Sequence, residues 1–271
     1  MKRLEYKYKV PIALLPSLRE QLDAFMVRDK YVREDTGQYT IRSIYMDTYA
    51  LDYYYQKESG IQHRRKLRVR AYNEWCEDAQ AFLEIKRKDD MSVAKARAPF
   101  SFADIGALFA SGDIERYIRA THPRALSDAR AFFFHIHRYA LKPVVLVCYE
   151  REAFGERADS SLRITLDKDL RSAPFPHLGE LFSEEKMQSS LRGHFILEVK
   201  FYKSSISGWL KSFLEKHRLE RMALSKYAIS LESHHIPQRA RTFSTWARSQ
   251  TIHRNAPGRR KSLAVHTSAA D

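Results

Sequence analysis

The chain is 271 residues long and 44% hydrophobic, with 15 Tyr and 15 Phe, so it can bury a sizeable core and is not a disordered polyelectrolyte. Lysine and arginine total 47 against 33 acidic residues, a formal net charge of +14. That excess calls for a polyanionic partner, either nucleic acid, an acidic membrane surface or a phosphate-rich ligand.

Along the chain, apolar and charged residues alternate with period 2 at Arg3–Val10, a first strand. Pro16–Val27 follows as a helix, with Leu18, Leu22, Phe25 and Met26 on one stripe and Pro16 in its first turn. Strands are predicted at Tyr39–Thr48, Gln62–Tyr72, Ala81–Lys88 and Ser92–Phe100, then helices at Phe102–Ala110, Ile114–Ala120 and Ala125–Tyr139. Pro143–Arg151 and Leu162–Asp167 are strands, Arg171–Arg192 is a long connection, and Phe195–Tyr202 completes a set of about eight strands. Helices at Ile206–His217 and Lys226–Glu232 end the patterned region. The domain is therefore residues 1–235, and residues 236–271 form a basic tail expected to be disordered.

Cys76 and Cys148 are too few for a disulfide framework or a cysteine-based zinc site, and reduced thiols in a cytoplasm are the simpler expectation. The charged start, MKRLEYKYKV, lacks the apolar stretch of a signal peptide, and no run approaches the ~18 apolar residues of a spanning helix. A cytoplasmic protein is expected, for which any membrane association would need a partner. His135 and His137 fall on different faces of a predicted helix and are not expected to share a metal ion. Phe132, Phe133 and Phe134 are expected in the core. There is no glycine-rich phosphate loop in a chain with only 9 Gly, and no familiar RNA-binding signature.

Parity along the strands sorts side chains onto faces. Lys66, Arg68 and Arg70 oppose Leu67 and Val69; Glu84, Lys86 and Lys88 oppose Leu83 and Ile85; Lys95 and Arg97 oppose Ala94 and Ala96. Arg163, Thr165 and Asp167 oppose Ile164 and Leu166, Glu198 and Lys200 oppose Val199, and Glu5, Lys7 and Lys9 oppose Tyr6 and Tyr8. A charged outer face is the ordinary property of a half-buried antiparallel strand, and it explains any one of these segments. Cations dominate the faces collectively, however, and the amphipathic helices suffice to cover the apolar sides. The charged faces would then line a lumen that must be hydrated or hold a polyanion. Patterning leaves the inside-out and conventional arrangements both open.

The segments EYKYKV, RSIYMDT, KLRVRAY, FLEIKRK, VAKARAPF, YEREAF, LRITLD, ILEVKFY and SKY occur in an order similar to that of the VTC (vacuolar transporter chaperone) domain of polyphosphate polymerases. The resemblance spans residues 3–232. It implies an α+β fold of the triphosphate tunnel metalloenzyme (CYTH-like) superfamily: a closed antiparallel β-barrel forming a hydrated cationic tunnel, with helices packed outside. It also implies ATP and inorganic polyphosphate as substrates, and a divalent metal, Mn²⁺ or Mg²⁺, as cofactor. By the same resemblance, Lys7, Arg68, Arg70, Lys86 and Lys95 grip phosphate, Tyr149 and Arg151 reach the nucleotide's phosphates, and Ser225 and Lys226, the Ser-Lys pair near the end of the domain, belong to the same phosphate-binding set. Glu198 corresponds to the glutamate that helps hold the metal. Glu5, Glu84, Arg97, Arg163 and Lys200 share the wall, and Arg42 and Asp47 are supporting positions. Eukaryotic relatives carry a phosphate-sensing domain ahead of this one and membrane helices after it; the layout here is similar to bacterial stand-alone versions, so translocation across a membrane is not expected of this chain.

These residue types suit phosphoryl transfer, in which positioning and cationic stabilisation of the equatorial oxygens carry most of the catalysis. The nucleophile is an already anionic phosphate, so no activated serine or cysteine is needed. Three readings follow: an ATP-dependent polyphosphate polymerase, a triphosphate or polyphosphate hydrolase of the same superfamily, and a non-catalytic polyphosphate- or nucleic-acid-binding module.

Overall fold

A computed structural model describes residues 4–89, 92–156, 162–202 and 206–238; Ile236, placed in the tail by the sequence, is buried in the core, and the tail beyond Gln238 lies outside the described residues. Strands β1 (Leu4–Pro11), β3 (Tyr39–Asp47), β4 (Arg64–Tyr72), β5 (Gln80–Asp89), β6 (Ser92–Ser101), β7 (Lys142–Glu156), β8 (Leu162–Pro174) and β10 (His194–Phe201) are those the alternation predicts, with β7 and β8 longer than expected. Short strands β2 (Met26–Arg28) and β9 (Gln188–Ser189) join them, β9 falling inside the segment read as a plain connection. The helices are α1 (Leu15–Phe25), α2 (Asp52–Glu58), α3 (Ile105–Ser111), α4 (Ile114–Tyr117), α5 (Ala125–Arg138), α6 (Gly208–Lys216) and α7 (Lys226–Ser233).

All pairings are antiparallel, in the order β1-β10-β8-β7-β3-β4-β5-β6, with β2 on β7 and β9 on β8. The expected closed barrel is therefore incorrect: β1 and β6 are not hydrogen-bonded to each other, and the sheet is open and curled. The reason lies in what occupies the edges. On β1, Tyr8 bridges to Arg221 and the Met222 N–H donates to the Lys7 carbonyl at 2.9 Å. On β6, Phe100 bridges to Ile118, the Arg119 N–H donates to the Pro99 carbonyl at 3.0 Å, and the Arg97 N–H donates to Asp128 at 2.8 Å. With these groups already satisfied, the edge strands have little left to offer one another. The same bridge ends α4 at Tyr117, short of the helix expected to Ala120, because Ile118 is drawn into extended pairing.

Apolar faces are covered as parity requires. Leu67, Val69, Leu83, Ile85 and Phe100 of β4–β6 pack against Ile105 and Leu108 of α3 and Phe132 of α5. Val10, Ile164, Leu166, Leu197 and Val199 pack against Leu18 and Leu22 of α1 and Leu210 and Phe213 of α6. Phe132 and Phe133 are core residues, but Phe134 is 60% exposed, since a helical run of apolar residues cannot all face one side.

Not every helix lies on the outer side, which is a second correction. Tyr227, Ala228 and Leu231 of α7 pack with Tyr45, Val145, Val147 and Tyr149, and the Tyr45 and Tyr227 rings stack at 5.1 Å. Tyr45 pairs with Arg68 in register, so α7 rests on the concave, charged face. Asp47 secures it by accepting the Tyr227 hydroxyl at 2.5 Å. The same carboxylate accepts the Tyr53 and Tyr54 N–H groups at 3.0 Å and thereby caps α2. This arrangement places Asp47 as structural support. Arg42, fully buried on the outer side, pairs with Glu74 and Glu184 at 2.7 and 2.8 Å.

Candidate functional site

Strand register assembles the concave face in rows. Tyr45, Arg68, Glu84 and Arg97 stand side by side across β3, β4, β5 and β6; Lys66, Lys86 and Lys95 form the next row toward α7. Across the sheet, Thr165, Glu198 and Lys7 form one row of β8, β10 and β1, and Arg163, Lys200 and Glu5 form another. Curling brings the ends of the sheet together, so that Lys86 of β5 lies 3.5 Å from Glu5 of β1.

Glu84, 1% exposed, is the hub of one wall. Arg68 donates to it from Nε and Nη2 at 2.8 and 2.7 Å, Lys95 lies at 2.9 Å, Arg97 at 3.4 Å and Arg70 at 3.8 Å. Burial alone would raise its carboxyl pKa; Arg68, Arg70 and Lys95 outweigh this and hold it far below the usual carboxylate range. Arg68 also donates to the Tyr45 hydroxyl at 3.0 Å and Arg70 to the Ser43 hydroxyl at 3.1 Å. Burial would raise Tyr45 as well, but Arg68 and Arg70 pull it down.

On the opposite wall Asp167 is the hub. Arg151 donates to it bidentately at 2.5 and 2.7 Å, and Lys226 Nζ approaches it at 2.5 Å. Burial is again overridden, and Asp167 is held strongly acidic by Arg151 and Lys226. Lys226 and Arg151 lie 4.6 and 5.4 Å from the Tyr149 ring centre. Tyr149 is buried beneath them, a support for the cations in this arrangement. Lys7 pairs with Glu5 at 2.9 Å and donates to the Leu224 carbonyl at 3.3 Å. Glu198 pairs with Lys200, whose ammonium is destabilised first by burial and then by Arg151. Arg163 is drawn to the rim by Asp29 at 2.9 Å.

The concave face thus brings together Lys7, Arg68, Arg70, Lys86, Lys95, Arg97, Arg151, Lys200, Ser225 and Lys226, with Glu5, Glu84 and Glu198 between them, while Arg163 turns aside. Sequence reasoning missed Asp167 as a site residue, although its parity with Arg163 and Thr165 placed it on this face. It also missed Tyr45 and Tyr227, whose role depends on where α7 lands.

Among the described residues no group of three or more His, Cys, Asp or Glu is disposed to hold a metal. Glu198 and the Thr165 hydroxyl, cross-strand neighbours, do offer hard oxygen donors, and Thr165 Oγ1 is buried without a partner. One carboxylate and a hydroxyl fit a Mg²⁺- or Mn²⁺-like ion whose remaining ligands are water and substrate phosphate. No helix among the described residues is long and apolar enough to cross a membrane.

No curated protein matches the sequence. Among solved structures, an adenylyl cyclase candidate from Hippeastrum, described as having a dominant triphosphatase activity, is similar at 14% identity and a TM-score of 0.48, covering 86% of this chain and 96% of its own. The VTC domain family matches residues 2–235, which takes in the described strands and α7 from Leu4 to Ser233, and the chain belongs to the VTC domain family.

Proposed function

We propose that the protein is a metal-dependent polyphosphate polymerase that transfers the terminal phosphoryl group of ATP to a growing polyphosphate chain. What supports this most is the surplus of cations on the concave face: Arg68, Arg70, Lys95 and Arg97 share the single carboxylate of Glu84. Such a wall is electrostatically incomplete until a polyanion lies along it.

In the reaction, a terminal oxygen of the polyphosphate chain attacks the γ-phosphorus of ATP, the bond from that phosphorus to the β,γ-bridging oxygen breaks, and ADP leaves. Arg68 and Arg70 present guanidinium forks to the equatorial oxygens, and Lys86 and Lys95 hold the acceptor chain as mobile point charges. Arg151, oriented by Asp167, and Lys226 approach from the facing wall. A divalent ion held by Glu198, with Thr165 beside it, would neutralise charge on the donor's phosphates. ATP as donor and free thiols at Cys76 and Cys148 suit a cytoplasmic reaction.

Incubating the protein with ATP, Mn²⁺ and a short polyphosphate primer tests this reading. Long-chain polyphosphate with stoichiometric ADP is expected. Release of orthophosphate alone would assign hydrolysis, and tight polyphosphate binding without turnover would make it a binding module.

A further inference from the structure

The cations gathered in the site above each have a carboxylate within 4.0 Å: Lys7 and Lys86 have Glu5, the Arg68 wall has Glu84, Arg151 and Lys226 have Asp167, and Lys200 has Glu198. Lys66 differs. Its Nζ donates to the Ser225 hydroxyl at 2.6 Å, and among the described residues no carboxylate lies within ion-pair distance of it. Ser225 is the N-cap of α7, its hydroxyl also accepting the Ala228 N–H at 3.3 Å, so the positive end of the helix adds to the same spot. The charges that weigh most on Lys66 are those of Lys7 from β1, Lys86 from β5, Arg64 from its own strand and Lys57 from α2, all of them cations. Glu5, the acid on β1 nearby, already serves Lys7 and Lys86. A buried ammonium beside a hydroxyl and several like charges is a costly arrangement for folding alone.

We infer that Lys66 and Ser225 form a phosphoryl-binding subsite at the α7 end of the concave face, which takes a phosphate group of the chain lying along the Lys66–Lys86–Lys95 row. This rests on the polyphosphate reading above, to which Ser225 already belongs, and extends it to Lys66. Burial and then Lys7 and Lys86 lower the proton affinity of Lys66, a strain that a bound phosphate relieves. Ser225 already accepts from Lys66, and its own proton is left to donate to a phosphate oxygen.

Binding of inorganic tripolyphosphate in EDTA, read by calorimetry and by the rise in Tm, separates the outcomes for wild type, Lys66→Met and Lys66→Arg. Lys66→Met should bind roughly 10- to 100-fold more weakly, the loss of one charge-assisted contact. Its Tm without phosphate should equal or exceed that of wild type, and Lys66→Arg should recover most of the binding. Two results would overturn the inference: Lys66→Met binding as tightly as wild type, or a lowered phosphate-free Tm with no rescue by arginine, the signature of a structural lysine. Failure of the wild-type protein itself to bind tripolyphosphate would sink the functional reading and this inference with it.

Discussion

Glu84→Ala is expected to destabilise the protein by about 3–5 kcal/mol, because it strips from largely buried Arg68 and Arg70, and from half-exposed Lys95 and Arg97, the one carboxylate that pairs with them among the described residues. At 2–4 °C per kcal/mol for a domain of this size, Tm should fall by roughly 6–20 °C. Thermal unfolding in the absence of phosphate measures it. Tripolyphosphate should restore much of the loss, since an anion binding only the folded state replaces the missing charge and shifts the equilibrium by mass action. The pH dependence has a definite sign. Glu84 is more acidic in the folded protein than its ordinary value of 4.5, so its contribution is complete above that pH and is lost as pH falls through the depressed folded value. Glu84→Gln should therefore lose stability at neutral pH and show a flatter acid limb than wild type. An unchanged acid limb would mean that Glu84 is not the clamp of this wall.

Arg68→Ala should behave in the opposite way, with turnover lost and the fold retained. Its removal leaves Glu84 with Arg70, Lys95 and Arg97, and costs the Tyr45 hydroxyl one donor. The expected stability change is about 1–2 kcal/mol, the range for a lost hydrogen bond to a charged partner that keeps others. Turnover should fall about 10²- to 10³-fold, the scale for losing one preorganised donor to a transition-state oxyanion. Paired measurements of Tm and single-turnover rate decide it. A variant with near-normal turnover would remove Arg68 from the machinery. A variant that fails to fold would show that the surplus of cations is structural.

This asymmetry between acid and base also explains what could be read from the sequence. Alternation exposed the strands and put Lys66, Arg68 and Arg70 on the face opposite Leu67 and Val69, because side-chain direction in a strand is a local property. Which anion balances which cation is not local. Arg151 meets Asp167 because β7 and β8 are neighbours, and Lys226 meets the same carboxylate only because α7 folds onto the concave face. Tyr149 likewise has Arg151 and Lys226 over its ring, a placement that depends on α7 and not on local sequence.

Closure of the sheet failed as an expectation for a similar reason. Whether β1 and β6 pair depends on what else reaches their edges, and those groups, around Arg221 and Met222 and around Ile118 and Arg119, come from segments with no strand periodicity. Helix α2 escaped notice because its cap, Asp47, belongs to the preceding strand, outside the local start signals of a helix. The open sheet still gathers the charged groups, since curling alone brings Lys86 to Glu5 across the face.

The account depends on polyphosphate lying along the concave face. Lysine acetylation read by mass spectrometry, with and without a polyphosphate chain, tests that directly. Lys86 and Lys95, whose side chains are 43% and 47% exposed, should be strongly protected, while Lys211 on the outer helix α6, 67% exposed, should react at the same rate in both conditions. Protection of Lys211 with Lys86 and Lys95 left reactive would place the polyanion on the outside of the molecule and contradict the proposal.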